Sequence, residues 1–283
     1  IRDVIEFENR YNRVGKGYNY MTRDELVSSM ISANGKDFYD VTTGECNFDS
    51  QEFKDLLEWA KNYALDFNTL YEEMGQEDDN AIFKKNRIML ETYYYNSFRD
   101  FNKTEKSRFD ENMAVVGFPS ADGTNSLMIT PDCSFAIFEK SKNKDAAFEF
   151  LKMYLSDDYQ MPKEEEGYTY AFPLSVKALD AYGEIAMQKP YYIDGTTGQK
   201  EYYSESYFDS SLGEQVDIEC ISADRLEYAK SCVRKADHLM NYDSSIIKLV
   251  SEEAEAYFNG QKTLDEVASV VQSRVSIYVR ENQ

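Results

Sequence analysis

A chain of 283 residues is long enough to bury a sizeable core, as one large domain or two smaller ones. Its formal charge of -21, with no Lys/Arg-rich run to offset it locally, would repel phosphate backbones and argues against nucleic acid as a partner. No run of about 18 apolar residues occurs, so nothing in this sequence reads as a membrane-spanning helix. The four cysteines, Cys46, Cys133, Cys220 and Cys232, show neither CxxC pairing nor zinc-type spacing, so they give no metal site and no disulfide framework. Free thiols of this kind fit a reducing compartment and an exported protein alike.

The chain opens IRDVIEFENRYNR, without a charged n-region or an apolar h-region, so a signal peptide would lie outside this sequence. Thr22 with Glu25 has the spacing of a capping box and predicts a helix over 22–31 that Asn34-Gly35 stops. Residues 37–48 (DFYDVTTGECNF) read as a small hairpin turning at TTGE. Asp49 is expected to cap the next helix, with Glu52 three residues on. Its stripe is Phe53, Leu56, Leu57, Ala60 and Ala64, and Trp59 sits at the edge of that core.

The acidic run around YEEMGQEDDN lacks the alternating oxygen ligands, central Gly and closing Glu of a calcium loop and reads as a solvated stretch. A short helix over 80–85 is then followed by strands expected at 87–95, 113–118, 127–130 and 135–138, the last two separated by Pro131, Asp132, Cys133 and Ser134. Ser141 or Asn143 caps a helix whose stripe is Ala146, Ala147, Phe150, Leu151, Tyr154 and Leu155. Pro173 ends an aromatic stretch before a helix that starts near Ser175. Residues 193–211 are turn-prone and tyrosine-rich, as a loop or hairpin insertion would be. The chain closes with a helix over 223–239 carrying His238, a helix over 244–259 stopped at Gly260, and a last helix opened by a Thr263/Glu266 capping box. Short strands among many helices give a helix-rich α/β or α+β architecture.

Catalytic patterns are scarce. The single histidine, His238, lies six residues from Cys232, which is off-face on a helix, and no Walker loop, GxGxxG, HExxH or GxSxG occurs. A glycosidase needs two carboxylates at a defined separation, but with 52 Asp and Glu residues the sequence selects no pair. The 23 tyrosines offer apolar faces with polar tips, suited to half-buried cores and to wet recognition surfaces alike. A glycoside-processing enzyme and a tyrosine-rich interaction module using residues 191–208 therefore stand as alternatives to a binding protein.

Four segments, RIMLETYYYNSF, MAVVGFPSADG, FAIFEKSKNKDAAFEFLKMYLSDDYQ and EEAEAYFNGQKTLDEVASVVQSRVSIYVRE, carry a resemblance over residues 22–283. In order and spacing they resemble the extracellular solute-binding proteins of ABC importers, in the sugar-binding branch. The resemblance implies a helix-rich α/β fold with few short strands, a lobe of the type II periplasmic-binding-protein kind. It implies no enzymatic activity, no cofactor and no metal. The implied ligand is a mono- or oligosaccharide, and the implied partners are ABC permease subunits. The implied location is extracellular, as a cell-surface lipoprotein or a periplasmic protein.

Members of that family are longer at the N-terminus, where an opening lobe and, in Gram-positive members, a lipid-modified Cys would stand. The chain is thus expected to be the C-terminal two-thirds of such a protein, attached to a membrane only through that missing anchor. Residues 1–119 would form the first part of the C-lobe, 120–180 a segment returning to the N-lobe, and 181–283 the closing C-lobe helices. Tyr93, Tyr94 and Tyr95 fall where the family usually has Gly-Gly-Ser-Trp, with Tyr94 nearest the Trp, and Asn96 follows with an amide for ligand hydroxyls. Strand alternation would send Tyr93 and Tyr95 to one face and Tyr94 to the other. Asp132 stands where the family often has glycines and would bond hydroxyls instead, while Tyr170 and Phe172 align with a loop near the ligand. Core packing is the competing role for each of these aromatics.

Overall fold

The computed structural model describes residues 21–74, 79–84, 91–109, 112–119, 125–163 and 171–282. Helix α1 (Arg23–Ala33) opens on the expected capping box: the Thr22 hydroxyl accepts from Glu25 N–H at 3.2 Å, and the Glu25 carboxylate accepts from Thr22 N–H at 2.8 Å. A single turn, α2 (Gly35–Phe38), leads into strands β1 (Tyr39–Asp40) and β2 (Glu45–Cys46), the predicted hairpin, which turns at Gly44 with φ +79°. Helix α3 (Gln51–Tyr63) is capped by Ser50 rather than Asp49, the Ser50 hydroxyl accepting from Phe53 N–H. Serine and aspartate are equally good caps, so residue type alone does not separate the two starts. Helices α4 (Phe67–Met74), α5 (Asp79–Lys84) and α6 (Phe98–Thr104) follow, and α6 runs on into a π-helical turn, Glu105–Phe109.

The strands are shorter than the apolar runs predict. Glu91–Asn96 carry no strand pairing, and residues 87–90 lie outside the described residues. Of 113–118, only β3 (Phe118–Pro119) pairs, with β4 (Asn125–Ser126). Of 127–138, only β5 (Met128–Ile129) is paired. The aromatic and branched residues of these runs serve packing instead of a ladder: Tyr95, Met113 and Val115 all lie in or against a helical core.

Helices α7 (Lys144–Tyr154) and α8 (Asp157–Gln160) bury none of their residues. Asn143 stands at the α7 N-cap without a side-chain bond, and Phe150 of the predicted stripe is 57% exposed. Helix α9 (Val176–Ala186) starts at Ser175 as expected. Two hairpins then replace the predicted loop or single hairpin: β6 (Tyr191–Ile193) with β7 (Lys200–Tyr202), and β8 (Glu205–Asp209) with β9 (Glu214–Ile218). Helix α10 (Ala223–Lys235) stops short of His238, which lies in β10 (His238–Leu239) and pairs in parallel with β5, so the expectation of a helical His238 is corrected. A long-range strand pairing of this kind leaves no local signal. Helices α11 (Ser244–Phe258) and α12 (Leu264–Glu281) complete the chain, with Gly260 at φ +72° just past α11 and the Thr263/Glu266 capping box in place. Among the described residues every sheet has two strands, so the fold is a helix-rich mixed α/β arrangement.

Two apolar clusters hold it together. The first joins α1, α3, α11 and α12 through buried Leu26, Ile31, Phe53, Leu57, Ile246 and Val271, with Phe48 edge-on to Phe53 at 5.1 Å. Gln272 of α12 ties in the hairpin by accepting from Phe48 N–H at 2.6 Å and donating to the Cys46 carbonyl at 2.9 Å. The second joins α6, α9 and α10 through Phe98, Phe101, Leu179 and Leu226, with Arg99 donating to the Ile185 and Gln188 carbonyls at the end of α9. Hairpin β8–β9 is fastened to α5 by Lys84, whose ammonium donates to the Asp209 carboxylate and the Tyr207 hydroxyl, both at 2.8 Å.

Leu57→Ala should lower unfolding free energy by about 2–5 kcal/mol in chemical denaturation, whereas Phe150→Ser should change it by less than about 1 kcal/mol because the Phe150 ring is mostly exposed and meets only Tyr154 edge-on. Lys84 and Ser211 hold the Asp209 carboxyl well below its ordinary range. That stabilisation is present above the ordinary carboxylate pKa, about 4, and is lost as pH falls through the depressed folded value. The stability gap between the native protein and Asp209→Asn should be full at neutral pH and shrink as the solution is acidified below about pH 4; a gap independent of pH would exclude this ion pair as its source.

Candidate functional site

A cleft of about 420 Å³ opens between α1 and the segment that leads into the tyrosine run. Asp24, Ser28 and Ser29 face it from α1, Glu91 and Thr92 face it from the opposite wall, and Met21 contributes an apolar patch. Asp24, Glu25, Ser28 and Ser29 reach one side because positions three and four apart share a helix face, while Leu26, Val27, Met30 and Ile31 are turned into the first core. The opposite wall is fixed by charge: Glu91 is ion-paired with Arg108 of the π-helical turn, and the Arg108 guanidinium lies over the Tyr93 ring, 5.0 Å from its centroid. Tyr93 in turn donates its hydroxyl to Asp100 of α6 at 3.2 Å. Burial raises the Asp100 carboxyl above its ordinary range, and burial raises the Tyr93 hydroxyl too.

The three tyrosines have separate surroundings. Tyr95 is packed into the second core, its ring 5.3 Å from Phe101 and its hydroxyl 3.3 Å from the Met113 sulfur. Burial pushes its ionisation far above the ordinary range. Tyr93 rests against Tyr95 with ring centroids 4.9 Å apart, on the shared side that alternation predicts, and is 40% exposed. Tyr94 is 52% exposed and is the freest of the three rings. The side-chain oxygen of Asn96 is buried and meets no donor among the described residues.

Of the other expected site residues, Phe172 packs edge-on against Phe98 at 5.1 Å in the second core, Asp132 is exposed, and Tyr170 lies outside the described residues. The structure therefore stacks Tyr93 on Tyr95, gives Tyr95 and Phe172 core contacts, and lines the cleft with none of the three tyrosines, which follow its Thr92 wall in the chain. Asp24, Ser28, Ser29, Glu91 and Thr92 were not singled out by the sequence, since a polar face on a capped helix reads as solvated surface. Among the described residues no group of three or more His, Cys, Asp or Glu is placed to hold a metal ion.

No family model matches the chain, and no curated protein matches it significantly.

The contrast between neighbouring rings gives a direct check. Tyr95→Ala should cost about 1–3 kcal/mol of stability, as removal of a partly buried aromatic packed against a core does, while Tyr94→Ala should cost less than about 0.5 kcal/mol by the same denaturation measurement.

Proposed function

We propose that this chain is a carbohydrate-capturing receptor, the substrate-binding component of an ABC importer. The observation that carries the reading is the cleft, where hydroxyls of Ser28, Ser29 and Thr92 and the carboxylate of Asp24 stand together and the wall runs directly into exposed Tyr93 and Tyr94. Sugars present apolar C–H faces and a rim of hydroxyls, so aromatic surfaces next to oriented polar groups are what a saccharide site requires. A volume of about 420 Å³ is on the scale of a mono- or disaccharide site.

In this reading the fold is a lobe of the type II periplasmic-binding-protein kind, and residues 120–180 belong with an opposing lobe. The support is that α7 leaves Phe148, Phe150 and Met153, together with its C-cap Leu155, exposed. Closure about a hinge would then enclose the sugar, and a membrane permease would receive it outside the cell.

A tyrosine-rich interaction module is the second reading. It is favoured by hairpin β6–β7, whose faces carry the ring pairs Tyr191–Tyr202 at 5.7 Å and Tyr192–Tyr203 at 6.4 Å, with Tyr192 and Tyr202 largely exposed.

Titration of mono- and oligosaccharides, followed by Tyr/Trp fluorescence and by reducing-end release, separates the readings. Saturable binding without turnover is the expected result. Release of reducing ends would make the protein a hydrolase, and no response to any saccharide would leave the interaction module. Tyr94→Ala should weaken saccharide binding by about 1–3 kcal/mol without changing the melting curve, the loss expected for one aromatic anchor.

A further inference from the structure

Hairpin β6–β7 carries tyrosines on both faces, and the two faces differ in charge. Among the described residues each strand pairs only with the other, with Tyr191 opposite Tyr202, Tyr192 opposite Glu201 and Ile193 opposite Lys200. Tyr203 N–H donates to the Pro190 carbonyl at 3.0 Å and continues the ladder. Alternation therefore puts Tyr191, Ile193, Lys200 and Tyr202 on one face and Tyr192, Glu201 and Tyr203 on the other, and the ring pairs follow that division. On the first face a tyrosine already holds a cation: the Lys200 ammonium lies over the Tyr191 ring, 4.1 Å from its centroid. The second face has the same kind of ring pair with a carboxylate in place of the lysine. Tyr192, Glu201 and Tyr203 are all exposed. Cross-strand contact between rings stabilises the hairpin itself, yet it leaves their outward faces open to a partner.

We infer that the Tyr192–Glu201–Tyr203 face is a docking surface for a basic protein partner, an arginine-bearing segment whose guanidinium lies over the rings and pairs with Glu201. The inference is independent of the saccharide reading, because the hairpin and the cleft share no residue. Ring faces and carboxylate attract the same charge at one point. Arginine fits better than lysine, since its planar guanidinium stacks on an aromatic ring while its N–H groups reach a carboxylate. The net charge of -21 adds a field of the same sign at longer range, which speeds encounter with a basic partner and turns away phosphates and anionic lipids. An uncharged glycan would stack on the rings but would make no use of the Glu201 charge, so the carboxylate favours the cation.

The test is fluorescence anisotropy of labelled octa-arginine titrated with the intact chain, with a labelled Gly-Ser octapeptide as the uncharged peptide and calorimetry with cellohexaose as the uncharged glycan. The variants are Glu201→Gln, the pair Tyr192→Ala/Tyr203→Ala and the pair Tyr192→Phe/Tyr203→Phe. Glu72→Gln, at an exposed site on α4, removes the same charge elsewhere, and Tyr202→Ala alters the opposite face; melting curves confirm that each variant is folded. Octa-arginine should bind and the Gly-Ser peptide should not. Glu201→Gln and the alanine pair should each weaken octa-arginine by about threefold to tenfold, the scale of one exposed ion pair or cation–π contact. The phenylalanine pair keeps the ring faces and should bind as the native chain does, as should Glu72→Gln and Tyr202→Ala. Equal loss in Glu201→Gln and Glu72→Gln, or an alanine pair as tight as the native chain, assigns the binding to the general field and overturns the docking surface. Absence of octa-arginine binding overturns it too, and cellohexaose binding that the alanine pair abolishes gives the face to a glycan instead of a basic partner. Sugar binding that all the variants retain belongs to the cleft and leaves the saccharide reading standing whichever way the hairpin result falls.

Discussion

The interaction on which the region around the cleft depends is the ion pair between Glu105 and Arg225. Glu105 is fully buried in the π-helical turn after α6, and both its oxygens accept from the guanidinium of Arg225 on α10. The same carboxylate accepts from Met113 N–H at 3.2 Å, and Arg225 also donates to the Met113 carbonyl at 3.0 Å. Three separate parts of the chain are thereby held at one point. A buried charge left without its partner costs about 3–5 kcal/mol, so each part constrains the others to stay.

From that point order spreads outward through contacts of decreasing burial. Tyr228 lies under the Arg225 guanidinium at 4.3 Å, and its hydroxyl oxygen accepts from Val115 N–H at 2.8 Å, fixing the segment after Met113. Met113 receives the Tyr95 hydroxyl, Tyr95 supports the Tyr93 ring, and Tyr93 underlies Arg108, which holds Glu91 at the wall of the cleft. The site is thus partly exposed at its end and anchored in the second core at its root. The other wall, α1, is anchored independently in the first core. The cleft is thus bounded by elements rooted in two different cores.

The helical framework was legible in the sequence because its signals are local. Thr22 with Glu25 and Thr263 with Glu266 each satisfy orphan N–H groups within one turn, and the stripe Val267, Val271, Val275 repeats at helical spacing whatever it packs against. The Tyr39–Cys46 hairpin was legible for the same reason, its turn chemistry lying within a few residues. The strands were not. Met113–Phe118 has strand composition, yet it is held by Glu105, Arg225 and Tyr228 instead of by a ladder, and composition cannot state which partner arrives. His238 left a helical reading for a strand because Met128 and Ile129, over a hundred residues earlier, supply the pairing.

For the site, the sequence by itself determined that a tyrosine run follows an acidic stretch and that a helix opens at the Thr22/Glu25 capping box. Only the tertiary structure decided that the side of this helix bearing Asp24, Ser28 and Ser29 stands opposite Glu91 and Thr92, that Tyr95 and Phe172 pack into the core while Tyr94 stays exposed, and that Arg108 pairs with Glu91. The physical reason is range. Caps, turns and helical stripes are settled within about one or two turns of chain, whereas the environment of a tyrosine or the partner of a carboxylate is settled by whichever distant residues the two cores bring beside it.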